Sequence, residues 1–276
     1  MPLVLQSVAM SADFIDTLMR LTGARSTTQR SSHAWHLHGA TPHPDIAPLC
    51  AKAAVDHAWM PDALRLADIG LMAMDMDSTL ITIECIDEIA DFAGRKAEVA
   101  AITERSMAGE VDFPTSLRER VAVFAGLPEA VLDDVFDARL ALQPGAQAML
   151  GALRDAGVRT MLVSGGFTAF TSRLQRELGF DHAHSNTLEV VDGRLTGRVL
   201  GDILDGPAKA AHLARVRDTL PASRRGTIAI GDGANDRFML EAATVGVAFR
   251  AKPVLRTAAT ACLDHVGLEG VIGLFG

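Results

Sequence analysis

From residue 69 onward, short apolar runs recur along the chain, and each gives way to a polar turn, glycine-containing after residues 163 and 230. Residues 69–76, 159–163, 227–230 and 245–249 have the length of buried strands, and most are followed by stretches with helical spacing. Strand and helix in alternation predict an α/β protein with a doubly wound parallel sheet. Residues 85–141 form a long insert between the first two runs. Ile86, Ile89, Ala90 and Ala93 recur there at helical spacing, which predicts a helical cap inserted after the first strand. Residues 187–191 and 195–199 flank Asp192-Gly193, a pair suited to a tight hairpin turn.

Residues 1–68 read differently. They hold five of the nine histidines and both tryptophans, Trp35 and Trp59. A strand over 4–8, a helix over 11–21 capped by Ser11 and a strand over 34–38 predict a small separate α/β domain ahead of a larger one over 69–276. With 26 basic and 34 acidic side chains the net charge is −8, which argues against nucleic acid as a partner. Any anionic ligand must therefore be held locally, by a metal ion, placed Lys or Arg, or helix N-termini. The three cysteines, Cys50, Cys85 and Cys262, are too few and too scattered for a disulfide framework or a Cys-x-x-Cys metal site. No uncharged apolar run approaches the roughly 18 residues of a membrane span, and residues 1–10 lack a secretory pattern, so the expected location is the cytoplasm.

In a doubly wound sheet, ligands bind at the carboxyl ends of the strands, and polar segments stand at those places. Asp75-Met76-Asp77-Ser78-Thr79-Leu80 puts two carboxylates two residues apart. One can attack phosphorus while the other moves protons. A phosphate dianion repels a carboxylate, so a cation must lie between them; Mg2+, with its preference for hard oxygen ligands, fits. Ser164-Gly165-Gly166-Phe167 offers a hydroxyl and approachable backbone amides at a helix start. Lys209 lies near the start of another helix, with Pro207 suited to its first turn. Gly231-Asp232-Gly233-Ala234-Asn235-Asp236 brings two carboxylates and an amide to a further strand end. Singly, each segment also fits an ordinary turn or a solvated side chain. Four of them in this order, each at a strand end or helix start, point together to one built site.

On these segments the chain resembles the haloacid dehalogenase superfamily, which implies a Rossmann-like core and phosphoryl transfer. The resemblance spans about residues 69–260. It narrows to the phosphoserine phosphatases through Glu84-Cys85-Ile86-Asp87-Glu88-Ile89-Ala90, Ile102-Thr103-Glu104-Arg105-Ser106-Met107 and Ser116-Leu117-Arg118-Glu119-Arg120-Val121. That implies hydrolysis of O-phospho-L-serine through an aspartyl phosphate, the last step of serine formation. By the resemblance, Asp75 is nucleophile and magnesium ligand, and Asp77 is acid and base as well as a ligand through its backbone carbonyl. Asp232 completes the protein ligands, with Asp236 supporting them. Ser164, Gly165 and Lys209 hold phosphate, and Asn235 contacts the substrate region. Glu84 takes the substrate ammonium and Arg120 its carboxylate, roles that suit an acid and a bidentate guanidinium. Met107 and Phe113 fall at positions that line the closed pocket.

Arg237-Phe238 and Phe249 depart from the family's usual residues without removing a named group. Residues 1–68 resemble a degenerate ACT-like module, and their position motivates a role in dimerisation or regulation, hence a homodimer. His33, His36 and His38 could tempt a metal reading, but His36 and His38 also fit one face of a short strand. Ser78 has no His/Asp relay suggested nearby and reads as a capping or backbone-bonding residue. Another small phosphomonoester, a phosphotransferase, or a non-catalytic amino-acid sensor on the same fold are the competing readings.

Overall fold

The computed structural model describes residues 1–62 and 64–276. The chain divides into two compact units: Met1–Ala73, Gln143–Thr160 and Leu213–Gly276 form the first, Met74–Leu142 and Met161–His212 the second.

The first unit begins with β1 (Leu3–Gln6), α1 (Ala12–Thr22), β2 (Ser26–Ser31), β3 (Ala34–His38), α2 (Ile46–Lys52) and β4 (Asp56–Trp59). The strands pair antiparallel in the order β2-β3-β1-β4. The Ser11 hydroxyl accepts the Phe14 N–H at 3.2 Å, the cap its position implied, and Ile15 and Leu18 of α1 pack with Leu3, Leu5 and Leu37 of the sheet. β2, exposed and reading Ser-Thr-Thr-Gln-Arg-Ser, escapes sequence analysis because it has no apolar alternation. Polar groups of this sheet engage the C-terminal segment of the same unit. The Gln6 Nε2 donates to the Gly270 carbonyl at 2.9 Å, and His36 Nε2 meets the Gly273 carbonyl at 2.9 Å.

The chain continues into β5 (Ile69–Met74), buried at every position, as a strand covered on both faces must be. In the second unit α3 (Cys85–Phe92), α4 (Lys96–Met107), α5 (Phe113–Ala122) and α6 (Val131–Arg139) follow, with α3 packing on α4 and α6, and α4 on α5. Ile86, Ile89 and Ala90 are the buried stripe of α3. After α7 (Ala146–Asp155) in the first unit come β6 (Arg159–Phe167), α8 (Thr168–Leu178), β7 (His182–Val191), β8 (Arg194–Leu200) and α9 (Gly206–Asp218). β6 and β7 are parallel; β7 and β8 form the expected hairpin. Its turn residues Asp192 and Gly193 have φ of 50° and 70°, as a two-residue hairpin turn matching the strand twist requires.

Back in the first unit, β9 (Gly226–Gly231), α10 (Arg237–Ala242), β10 (Val245–Phe249), α11 (Pro253–Arg256), β11 (Ala261–Leu263) and α12 (Gly270–Gly273) complete the chain. β9, β10 and β11 pair in parallel, and neighbours run β11-β10-β9-β5. The α/β class with a parallel sheet is as the periodicity predicted.

Candidate active site

The second unit gathers seven of the predicted residues. Asp75 follows β5 directly and is buried. Its Oδ1 accepts the Met76 N–H at 2.7 Å, and its Oδ2 lies 2.6 Å from Lys209 Nζ. Lys209 is 0% exposed, and the Asp75 carboxylate beside it offsets the cost of burying an ammonium there. Asp77 Oδ1 accepts the Cys85 N–H at 3.1 Å. Burial, ahead of the neighbouring Glu84 charge, raises the Asp77 carboxyl to about 8, with Asp75 adding to the shift and the Cys85 N–H opposing it. The shift is toward the protonated form, the state a general acid needs.

Ser78 is a feature sequence reasoning assigned only generically. It sits at φ 56°, in the left-handed region, which a non-glycine residue enters where the surroundings hold it. Its N–H donates to the Ile83 carbonyl at 3.2 Å and its Oγ to Glu84 Oε1 at 2.7 Å. The loop that follows Asp77 and the Glu84 carboxylate are thereby tied together.

β6 carries a register shift between Val163 and Phe167, where Ser164-Gly165-Gly166 lie. Such an irregularity re-aims the backbone at a strand end. The Gly166 N–H donates to Ser164 Oγ at 2.9 Å. A Cβ on Gly166 would stand 2.8 Å from Asp77 Oδ2, and one on Gly165 2.9 Å from Phe113 Cζ, so a side chain at either position would push a neighbouring group aside. Phe113 therefore overlies this turn, whereas Met107 is 79% exposed. Arg120 on α5 donates from Nε to the Ser116 carbonyl at 3.3 Å. Burial lowers its pKa while Asp87, Glu84 and Asp77 oppose that shift, so the guanidinium stands among three carboxyl groups. Asp87, present in the family motif but given no role by sequence reasoning, is the first of these partners; its place one turn along α3 from Glu84 is the signal that could have found it.

Asp232, Asn235 and Asp236 lie in the first unit, in the loop after β9. Asp236 is fully buried, and its Oδ2 accepts the N–H groups of Asp232 and Gly233 at 3.2 Å each. The Asp232 carbonyl accepts the Lys252 N–H at 2.9 Å. The carboxylate of Asp236 thus braces the backbone that presents Asp232, which is 8% exposed, and Asn235 is half-buried beside it. Asp75, Asp232 and Asp236 each offer a buried carboxylate oxygen of the hard type that suits magnesium. His38 instead bonds Thr28 Oγ1 at 3.0 Å.

A family model for haloacid dehalogenase-like hydrolases matches residues 72–241. The chain belongs to this family. Among hydrolases similar to it, the phosphoserine phosphatase of Polaromonas sp. is 51% identical over 219 residues, 78% of this chain and 92% of the relative. That of Idiomarina loihiensis is 48% identical over 206 residues, 74% and 92% of the two chains. An unliganded crystal structure of a probable phosphoserine phosphatase from Vibrio cholerae superposes with a TM-score of 0.87 at 35% identity, covering 99% of this hydrolase and 86% of that chain. A substrate-bound phosphoserine phosphatase complex gives 0.69 at 35% identity, covering 75% and 99%. Among the described residues of this hydrolase, no helix is long and apolar enough to cross a membrane.

Proposed function

We propose that this haloacid dehalogenase-like hydrolase converts O-phospho-L-serine and water to L-serine and phosphate, with Asp75 as nucleophile. The observation that carries the reading is the buried Asp75–Lys209 pair at 2.6 Å, two residues from an acid whose carboxyl is raised to about 8. An Asp75 oxygen attacks phosphorus while Asp77 delivers its proton to the departing serine oxygen, and the P–O bond to serine breaks. Asp77, now a carboxylate, takes a proton from water, whose oxygen attacks the aspartyl phosphate and returns Asp75 and free phosphate. Splitting hydrolysis this way replaces one hard displacement with two easier ones.

Ser164, Gly165 and Lys209 hold the phosphate oxygens, and Asn235 contacts the substrate region. Asp75, the Asp77 carbonyl and Asp232 would hold magnesium, with Asp236 keeping Asp232 in place. The donor set fits, being oxygen throughout; when bound, the ion offsets the repulsion between a phosphate dianion and two carboxylates. Glu84 pairs the substrate ammonium and Arg120 grips its carboxylate. In this reading residues 69–276 form the phosphatase domain, with a cap at about 85–141. Residues 1–68 form a small ACT-like domain supporting a homodimer, and the enzyme works in the cytoplasm in the last step of serine formation.

A panel of esters tests the substrate. O-phospho-L-serine should exceed O-phosphoethanolamine, which lacks the carboxylate, and 3-phosphoglycerate, which lacks the ammonium, by about 100-fold or more in kcat/KM. Comparable values across the three would overturn the assignment.

A further inference from the structure

Asn186 on β7 is 2% exposed and uses both ends of its amide. Its Nδ2 donates to the Gly165 carbonyl at 2.8 Å, and its Oδ1 accepts the Leu204 N–H at 2.8 Å. Each bond leads on to a group read above as holding phosphate. Because the peptide unit is rigid and planar, fixing the Gly165 carbonyl also fixes the Gly166 N–H on the same plane. That N–H in turn donates to Ser164 Oγ at 2.9 Å and sets the hydroxyl. On the other side Leu204 precedes Asp205, which accepts the Ala208 N–H through Oδ1 and the Lys209 N–H through its carbonyl, both at 3.0 Å. Asp205 thereby fixes the first turn of α9 and the root of Lys209.

We propose that Asn186 is a positioning residue for phosphate. One planar amide sets the spacing between the Ser164 turn and the backbone root of Lys209. A side chain with a donor and an acceptor on one plane is required, because the two backbone groups it satisfies are of opposite kind. This rests on the phosphate-binding reading of Ser164 and Lys209.

Two variants and one measurement on the unaltered protein test it, with orthophosphate in the presence of magnesium as the probe. Asn186→Asp keeps the acceptor for Leu204 and loses the donor to Gly165; Asn186→Ser is too short to span both. Either should weaken orthophosphate binding by calorimetry about tenfold or more, because the groups that hold phosphate are displaced. KM should rise alike for phosphoserine and for esters lacking ammonium or carboxylate, a split that Glu84→Gln would not give. In the unaltered protein, orthophosphate should slow hydrogen exchange in residues 163–167 and 203–206 together. Folded variants that bind orthophosphate as the unaltered protein does, or protection gained by 163–167 alone, would overturn the proposal while leaving the phosphatase reading standing. Failure of the unaltered protein to bind orthophosphate would remove both.

Discussion

Gly166 shows how narrowly single positions are set. A methyl there would press on Asp77 Oδ2 at 2.8 Å and on Met76 Cε at 2.9 Å. Gly166→Ala should therefore displace the acid and lower kcat by about 100-fold or more, at a stability cost of only about 1–3 kcal/mol, read by steady-state kinetics beside thermal unfolding. Arg120→Lys separates charge from geometry. It keeps the cation and loses the planar fork, so KM for O-phospho-L-serine should rise about 10–100-fold while that for O-phosphoethanolamine changes little. Asp75, Asp77 and Asp232 stand out in the sequence as closely spaced carboxylates at strand ends, whereas Lys209, a lone lysine near a helix start, stands out only through its place among the four segments and the family resemblance. Ser78 was legible as a backbone-bonding residue but not in its link to Glu84, and Asn186 was not legible at all. The Ser78 φ of 56° follows from a loop closed on Ile83 and Glu84, and the partners of Asn186 lie 21 residues behind it and 18 ahead, contacts that only folding brings together.

At the scale of elements, the buried strands and the β7–β8 hairpin could be read because a continuous apolar run and an Asp-Gly turn are local signals. The short strand β4 could not, since four residues carry too little pattern, yet it makes a decisive contact. Asp56 on β4 accepts the N–H groups of Asp264 and His265 at 2.9 Å and of Val266 at 3.2 Å. Asp56→Ala should leave them short of an acceptor and cost about 3 kcal/mol, a fall in Tm of roughly 6–12 °C. The β3 and β4 histidines add a pH dependence. Burial lowers the pKa of His36 and of His57 below 6.5, so the unfolded chain binds their protons more readily. Their contribution is fully present above pH 6.5 and is lost as pH falls through the lowered values. Burial raises the Asp56 pKa, which works in the opposite sense between 3.8 and its raised value. The comparison that isolates the imidazole is the slope of Tm against pH between 7.5 and 5.5, which His36→Gln should flatten; an unchanged slope would count against it.

Across the whole molecule, the first unit draws residues 1–73 together with 143–160 and 213–276. Leu263, Val266 and Val271 are buried there, and Gln6, His36 and Asp56 bond backbone groups of residues 264–273. Deleting residues 1–68 should uncover that apolar segment and yield a chain with a markedly lower Tm and a tendency to aggregate, measurable by calorimetry and light scattering. A truncated chain as stable as the full one would show the contact to be dispensable. The central claim is that Asp75 carries the phosphoryl group. It is tested most directly by phosphate release from O-phospho-L-serine with magnesium, comparing the native protein with Asp75→Asn. Rapid release by the native chain and a loss of about 10⁴-fold or more in the variant is the expected result; equal rates would contradict the account.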